Sequence, residues 1–209
     1  MTRAHADSKT KILEAALHVI RAQGYAAATV DDICAAAGVT KGSFFHHFES
    51  KEQLAVEAAA HFAAMAEGLF AAAPYRKAKD PRDRLLGYVD FRAAILRGEL
   101  PDFTCLLGTM VQETYDTHPA IRKACARHIS AHAQTVAADI AAAKRRHAPD
   151  APWSPESLGL FTQAVIQGAF ILAKAKHGPE VAVDCLAHLR RYLETLLTPT
   201  PSRRRRGHV

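Results

Sequence analysis

The chain has 209 residues, of which 49% are hydrophobic, so it can bury a substantial core and fold without help. It contains no long uncharged apolar run and begins without the apolar stretch of a secretory signal, so we expect a cytoplasmic protein with no membrane contact. The net charge of +6 does not establish nucleic-acid binding, because Arg203 to Arg206 supply four of the positive charges.

Apolar residues recur at helical spacing along the chain, and glycine or proline stands at most of the interruptions. No segment shows the alternation of a β-strand. The pattern predicts an all-α protein of about nine helices, at residues 8–23, 30–38, 40–48, 50–73, 82–97, 103–115, 119–146, 155–176 and 179–197. We expect three parts: a helical module at 1–50, a larger helical domain at 51–198, and a disordered basic tail at 199–209.

A turn at residues 37–39 separates two short predicted helices, which is the outline of a helix-turn-helix. The second helix begins with Thr40, Lys41, Gly42 and Ser43. In such modules this end of the helix enters the major groove of DNA, where small residues allow close approach. Lys41 can pair with a phosphate or a guanine edge, and the hydroxyls of Thr40 and Ser43 can form hydrogen bonds. The same four residues would also fit an ordinary capped turn in a helical bundle.

Several spaced elements extend this pattern over forty residues: Ile12-Leu13-Glu14-Ala15-Ala16, Gly24-Tyr25, Thr29-Val30-Asp31-Asp32-Ile33, Ala36-Ala37-Gly38-Val39-Thr40-Lys41-Gly42-Ser43 and His46-His47-Phe48-Glu49-Ser50-Lys51. Together they resemble the DNA-binding domain of the tetracycline-repressor (TetR) family. The resemblance implies that double-stranded operator DNA is bound through Thr29, Thr40, Lys41, Gly42, Ser43, Phe45, His46 and Lys51. Thr29 and Lys51 would touch phosphates, although Lys51 could also be a solvated charge.

Phe45 departs from the family pattern. Most members carry a tyrosine there, whose hydroxyl commonly meets a phosphate, so Phe45 either removes one backbone contact or packs its ring. Phe44 and Phe48, four residues apart, are predicted to face the core of the module. His46 and His47 could form a solvated surface pair, and we expect no metal there.

The last two predicted helices carry one wide apolar face. The resemblance assigns such helices to a four-helix interface of a homodimer, in which Gly168 and neighbouring alanines would allow close approach. A dimer would also double the base contacts of one short recognition helix. The expected interface residues are Leu160, Ala164, Gly168, Ile171, Leu186, Leu189 and Leu193. The same face could instead be core within one chain.

An apolar pocket for an unknown small-molecule effector is expected in the larger domain. Its candidate residues are Phe91, Ile95, Phe103, Cys105, Leu106, Met110, Tyr115, Phe161, Val165 and Phe170. Cys105 stands near the start of a predicted helix, where the dipole can lower a thiol pKa. Residues 101–108 are similar to electrophile-responsive members of the family, of the N-ethylmaleimide-repressor type. A buried structural cysteine is the alternative for Cys105.

The sequence therefore predicts a ligand- or electrophile-responsive transcriptional regulator, a repressor released from a palindromic operator by its effector. A helical scaffold without operator binding is the alternative. We expect no enzyme, because G-x-S-x-G, H-E-x-x-H and phosphate-binding glycine loops are absent from the sequence. No cofactor or metal is expected. His128 and His132 have a spacing that fits metal binding only weakly, and we expect them on a solvated helix face.

Overall fold

The computed structural model describes residues 2–198, with side chains from Ser8 onward, and the predicted tail at 199–209 lies outside the described residues. Within that range the chain forms ten α-helices, one 3-10 turn (Pro74–Lys77) and no strand. The helices are α1 (Thr2–Gln23), α2 (Val30–Ala37), α3 (Lys41–His47), α4 (Lys51–Ala71), α5 (Pro81–Ala94), α6 (Leu100–Phe103), α7 (Leu106–Thr114), α8 (Pro119–His147), α9 (Pro155–Lys176) and α10 (Glu180–Leu196).

The all-α class is confirmed, but the predicted helix at 103–115 is wrong in its first turn. Phe103 closes the separate helix α6, and α7 begins only at Leu106, because Thr104 and Cys105 between them have extended backbones. The Thr104 hydroxyl donates to the Leu100 carbonyl at 2.7 Å. Pro101 lies in the first turn of α6, where its missing N–H costs no hydrogen bond.

The first three helices and the start of α4 surround one apolar core. Phe44 and Phe48 are 0% and 1% exposed, which confirms their predicted core role. Thr29 caps α2, and Gly38 ends it with φ of 64°, a left-handed conformation that glycine adopts without steric cost. This turn sets the direction of α3 relative to α2.

This first core does not stop at residue 50. Leu106, Met110 and Ile121 from α7 and α8 belong to the same cluster as Ile12 and Phe44. Helix α4 packs against both α1 and α8. The N-terminal module therefore rests on the larger domain through shared side chains rather than through a linker.

A second core fills the larger domain between α5, α8, α9 and α10. Its fully buried members include Leu85, Ile140, Ile166 and Leu193. Two helices of the described range, α4 and α9, are long and apolar enough to cross a membrane by length and composition. That is weak evidence for a membrane, because the core helix of a bundle passes the same test.

Candidate functional site

The N-terminal end of α3 lies on the surface of the module. Thr40 caps the helix, its Oγ1 accepting from the Ser43 backbone N–H at 3.2 Å. Thr40, Lys41 and Gly42 are exposed, and Ser43 is half-buried. Because Phe44 on the inner side of α3 is fixed in the core, these predicted residues are brought together on one outward surface.

Lys41 forms an ion pair with Asp31 of α2, with Nζ 2.8 Å from Oδ1. The hydrogen bond and charge of Asp31 raise the pKa of Lys41, which keeps the ammonium protonated. Both side chains are more than half exposed, so solvent weakens the attraction and a phosphate can compete for the ammonium.

The Thr29 hydroxyl caps the N-terminus of α2. It accepts from the Asp32 backbone N–H at 3.1 Å and donates to Asp32 Oδ2 at 2.7 Å, while the Thr29 N–H donates to the same oxygen at 3.0 Å. These bonds lower the pKa of Asp32. Thr29 is exposed beside the turn that leads to α3, and one lone pair of its hydroxyl stays available.

The Lys51 ammonium points back into the module. It donates to the carbonyls of Tyr25 at 3.0 Å and Ala28 at 2.9 Å, lies 3.5 Å from that of Ala26, and stands 4.4 Å from the centre of the Tyr25 ring. An ammonium has three donors, and these carbonyls engage them. The predicted phosphate contact of Lys51 therefore competes with a structural role.

Phe45 is 57% exposed, and its ring meets Phe44 edge to face with centroids 5.1 Å apart. The ring thus packs on one side only and faces solvent on the other. His46 is also exposed, whereas His47 is half-buried with Nε2 2.7 Å from the Ser8 hydroxyl. Among the described residues, no group of three side chains could hold a metal ion.

The larger domain holds a cavity of about 500 Å³ between α4, α5, α8, α9 and the α6–α7 connection. Three of the ten predicted pocket residues, Phe103, Cys105 and Phe170, line it. The cavity also has residues that the prediction missed, namely Phe62, Ala63, Ala66, Glu67, Phe70, Ala71, Arg76, Arg92, Thr104, Leu107, His128, Ile129, Ala131, His132, Thr135, Gln163 and Gln167.

The remaining seven predicted pocket residues lie elsewhere. Leu106 and Met110 are fully buried in the first core, and Tyr115 and Phe161 are 62% and 43% exposed on the surface. Phe91, Ile95 and Val165 pack against the second core and do not line the cavity. Apolar residues at helical spacing mark several buried or exposed surfaces, and the spacing does not separate one from another.

A polar network forms one wall of the cavity. Tyr88 Oη is within hydrogen-bond distance of Arg92 Nε (3.2 Å), Gln163 Nε2 (3.3 Å) and His132 Nε2 (2.9 Å). Arginine and the amide nitrogen can only donate, so the Tyr88 proton is assigned to His132. Arg92 Nη2 also approaches His132 Nε2 at 3.2 Å and again can only donate. Nε2 is therefore an acceptor, and the ring is neutral.

Burial lowers the pKa of His132 to about 3, and the charges of Arg92 and Arg76 act in the same direction. The expectation that His132 lies on a solvated helix face is wrong, because the residue belongs to the cavity wall. His128, one turn earlier, lines the same cavity, and burial lowers its pKa too. The spacing of four that suggested two metal ligands instead places both rings toward one cavity.

Acid should destabilise the fold through His132. Its folded-state pKa lies below the ordinary value of 6.5, so the unfolded chain takes up a proton as the pH falls below 6.5 while the native chain does not. Between pH 7.5 and pH 5 this should remove on the order of 2 kcal/mol of unfolding free energy. Urea unfolding of the wild type and of His132→Gln at both pH values tests this: the variant should lose correspondingly less, and equal losses would contradict the assignment.

Arg21 joins the N-terminal module to the wall of the cavity. From the end of α1, its Nη1 donates to the carbonyls of Asp102 at 3.3 Å and Thr104 at 3.4 Å. Its guanidinium also lies over the Phe62 ring, 5.7 Å from the centroid. Because Thr104 and Phe62 line the cavity, a movement of that wall reaches Arg21 directly.

Glu113 makes a second link from α7 to the turn after α1. Its carboxylate accepts from the backbone N–H groups of Tyr25 at 3.1 Å and Ala26 at 2.8 Å. A β-carbon at Gly24, which has φ of 91°, would lie 2.5 Å from Glu113 Oε1. The turn therefore needs glycine both for its backbone conformation and for the close carboxylate.

An exposed apolar face lies on α9 and α10. Its large members are Leu160, Phe161, Ile171, Leu172, Val183 and Tyr192. Ala164 is exposed, and a β-carbon at the half-buried Gly168 would meet no atom within 4 Å. The prediction is wrong for Leu186, Leu189 and Leu193, which are buried in the second core because α10 turns that side toward α5 and α9.

The four cysteines are free thiols in the structure. Cys105 is half-buried, precedes α7 and lines the cavity. Cys125 is buried, and burial together with the neighbouring Cys105 raises its pKa to about 12. Cys105 is thus the thiol with access to the cavity, whereas Cys125 stays protonated.

Two family models match the chain. Residues 12–58 match the bacterial regulatory proteins of the tetR family, and residues 81–181 match the C-terminal domain of LmrA/YxaF-like transcriptional regulators. The HTH-type transcriptional repressor DhaR of Mycobacterium sp. (strain GP1) is 27% identical over 81% of this chain and 83% of its own length. Three other curated relatives are matched over only 20% to 29% of their own length.

Solved structures share the whole fold. A TetR transcriptional regulator from Chloroflexus aurantiacus covers 95% of this chain and 100% of its own, with a TM-score of 0.82 and 24% identity. The reduced form of E. coli NemR covers 94% and 99%, with a TM-score of 0.77 and 20% identity. Both family models match this chain, and the solved structures share its architecture. The chain belongs to the TetR family of bacterial regulatory proteins.

Proposed function

We propose that the protein is a transcriptional repressor that binds a palindromic operator as a homodimer and is released by a small-molecule effector. TetR-family regulators are non-enzymatic proteins that bind DNA operators and typically act as dimers. The observation that carries the proposal is the exposed start of α3, held outward by the buried Phe44 and Phe48. A scaffold would need no such surface. A cytoplasmic location fits this role.

Gly42 supports the groove-facing role of α3. A β-carbon there would meet only Thr40 Oγ1, at 3.7 Å, which is an ordinary contact. The fold of the module therefore does not require glycine at this position, whereas a backbone lying against the floor of a groove would. We place Thr40, Lys41, Gly42 and Ser43 at the base edges.

The flanking residues would contact the DNA backbone. Phe45 and His46 are exposed on the same helix, and Thr29 is exposed at the start of α2. Phe45 would offer apolar contact to a sugar or a thymine methyl, because it has no hydroxyl for a phosphate. A phosphate contact by Lys51 remains a prediction, since its ammonium is engaged by carbonyls.

The exposed α9–α10 face supports the homodimer. Such a patch of large apolar side chains commonly marks an interface. The open side of Gly168 would let a second α9 approach closely. A two-fold pair of α3 helices would then read two half-sites about one helical turn of DNA apart.

The cavity would bind the effector, and the α6–α7 connection would carry the response. A ligand that displaces Phe103 or Thr104 moves the carbonyls held by Arg21, and with them the end of α1. This changes the position of α3 relative to its dimer mate. An effector that releases the operator with no change in hydrogen exchange at residues 17–26 would contradict this route. An electrophile response through Cys105 remains an open prediction.

Lys41→Ala should weaken specific operator binding by about 5-fold to 100-fold, the usual range for one base-reading contact. Its melting temperature should stay within about 1 °C of the wild type, because the side chain is exposed and its partner Asp31 is also solvated. Fluorescence anisotropy with a palindromic fragment from beside the gene, at several salt concentrations, measures the affinity.

Lys77→Ala is the matched control, since it removes the same charge from an exposed position on the 3-10 turn. We expect that control to bind like the wild type. Binding by the wild type without salt dependence or sequence preference would reject operator recognition and favour the scaffold. A melting loss large enough to explain the lost affinity of Lys41→Ala would reject the role of Lys41.

A further inference from the structure

Arg92 is a half-buried cation in the cavity wall without a carboxylate partner. Among the described residues, no acidic oxygen lies within 4 Å of its guanidinium, and Nη1 has no hydrogen-bond acceptor. The guanidinium lies over the Phe70 ring, 4.5 Å from the centroid, and its other nitrogens bond Tyr88 and His132. It is thus fixed in orientation, and its charge is not neutralised.

The surrounding charges do not compensate Arg92. Arg76, which also lines the cavity, and Arg84 behind it share the single carboxylate of Asp139, at 2.8 and 3.0 Å. His132 is neutral, as its bonding and lowered pKa show. Glu67 lines the same cavity but is exposed and forms no ion pair with Arg92. The inner part of the wall is therefore positive overall.

Apolar side chains, among them several phenylalanines, form much of the rest of the cavity lining. Phe62, Phe103 and Phe170 line it together with Leu107 and Ile129. Its volume of about 500 Å³ lies in the range of pockets that enclose small organic molecules. A cationic ligand would be repelled by Arg92, and a neutral ligand that displaced water from the guanidinium would leave its charge unpaired.

Building on the proposed function, we propose that the effector is an organic acid with a flat aromatic body, whose anionic group binds Arg92. A carboxylate or similar anion would accept hydrogen bonds from the unengaged Nη1 of Arg92 and from the guanidinium nitrogen beside it. Its body would lie between the phenylalanine rings, against the wall formed by Phe103 and Thr104. The same molecule would thus contact both Arg92 and the α6–α7 connection, where the Thr104 carbonyl accepts from Arg21.

The test compares 2-naphthoate with 2-naphthamide, two probes of equal shape that differ by one charge, by isothermal titration calorimetry on the full-length protein. The wild type should bind the acid about tenfold or more tightly than the amide, as one charge-assisted hydrogen bond provides. Arg92→Met should abolish this preference and leave amide affinity within about threefold. Arg92→Lys should retain most of the preference, because it retains the charge.

Arg190→Met is the matched control, because that arginine does not line the cavity and already has Asp90 and Glu194 as partners. It should change the preference for the acid by less than about threefold. Equal affinity of the wild type for both probes, an unchanged preference in Arg92→Met, or no binding of either probe at millimolar concentration would overturn the proposal.

Operator binding is measured on the same preparations, so the two claims fail separately. Absence of operator binding with an intact preference for the acid rejects the repressor function and supports the anion site. Operator binding without that preference rejects the anion site and supports the repressor function.

Discussion

Gly168→Glu is expected to convert the proposed homodimer to a monomer and to lower operator affinity by about 100-fold or more. In the monomer a β-carbon at this position meets no atom within 4 Å, and a glutamate favours a helix interior more than glycine does. In a dimer joined through the α9–α10 face, the carboxylate would be buried without a partner, which costs several kcal/mol. Each monomer would then read one half-site only.

Gly68→Glu is a close control for this variant. Gly68 also lies inside a long helix, α4, and a β-carbon there likewise meets no atom within 4 Å. Analytical ultracentrifugation should give a dimer for Gly68→Glu and a monomer for Gly168→Glu. The control Gly68→Glu should melt at or above the wild-type temperature. A dimeric Gly168→Glu with normal operator affinity would move the interface away from this face.

The fold class and the helix-turn-helix could be predicted from the sequence because both depend on local signals. Thr29 and Thr40 cap their helices through their hydroxyls, and Phe44 and Phe48 face the core at the expected spacing. Capping and helical periodicity act over a few residues, so one sequence suffices to locate them. The extended pair Thr104 and Cys105 was missed because no glycine or proline separates α6 from α7.

The cavity could not be predicted in the same way, since it depends on how distant helices meet. Tyr88, Arg92, His132 and Gln163 come from α5, α8 and α9, and nothing in their local sequence indicates that they share one wall. A search for apolar residues also selects core positions such as Met110 and passes over Arg92. The available sequence signal for this polar wall was an arginine one helical turn after a tyrosine, but such pairs are common on solvated helices.

For the apolar face of α9 and α10, the sequence predicts the apolar stripes but not which of them is exposed. Helical spacing places Leu160 and Leu193 among apolar stripes equally well, but only the packing shows that one is exposed and the other buried. An α10 with leucines on its inner side and Val183 and Tyr192 outside carries two apolar surfaces. Periodicity reports that such surfaces exist, whereas tertiary contacts decide which one a partner can reach.

Lys51→Met is expected to lower the unfolding free energy by about 2 to 3 kcal/mol, the scale of charged hydrogen bonds removed from partly buried carbonyls. The carbonyls of Tyr25 and Ala28 would lose their donor, and the turn between α1 and α2 would lose the ammonium over the Tyr25 ring. Urea unfolding monitored by circular dichroism measures the loss. Lys77→Met, on an exposed turn, should change stability by less than about 0.5 kcal/mol.

The salt dependence of operator binding separates this structural role from a phosphate contact by Lys51. If Lys51 neutralises a phosphate in each monomer, Lys51→Met should lower the slope of log affinity against log salt by about 0.9 for each phosphate left without its ammonium, with stability unchanged. If the ammonium stays on its carbonyls, the slope should remain that of the wild type, measured where the variant is fully folded. We expect the second result. To reach a phosphate, the Lys51 ammonium would have to give up its contacts with three carbonyls, and it would gain a single solvated ion pair in exchange.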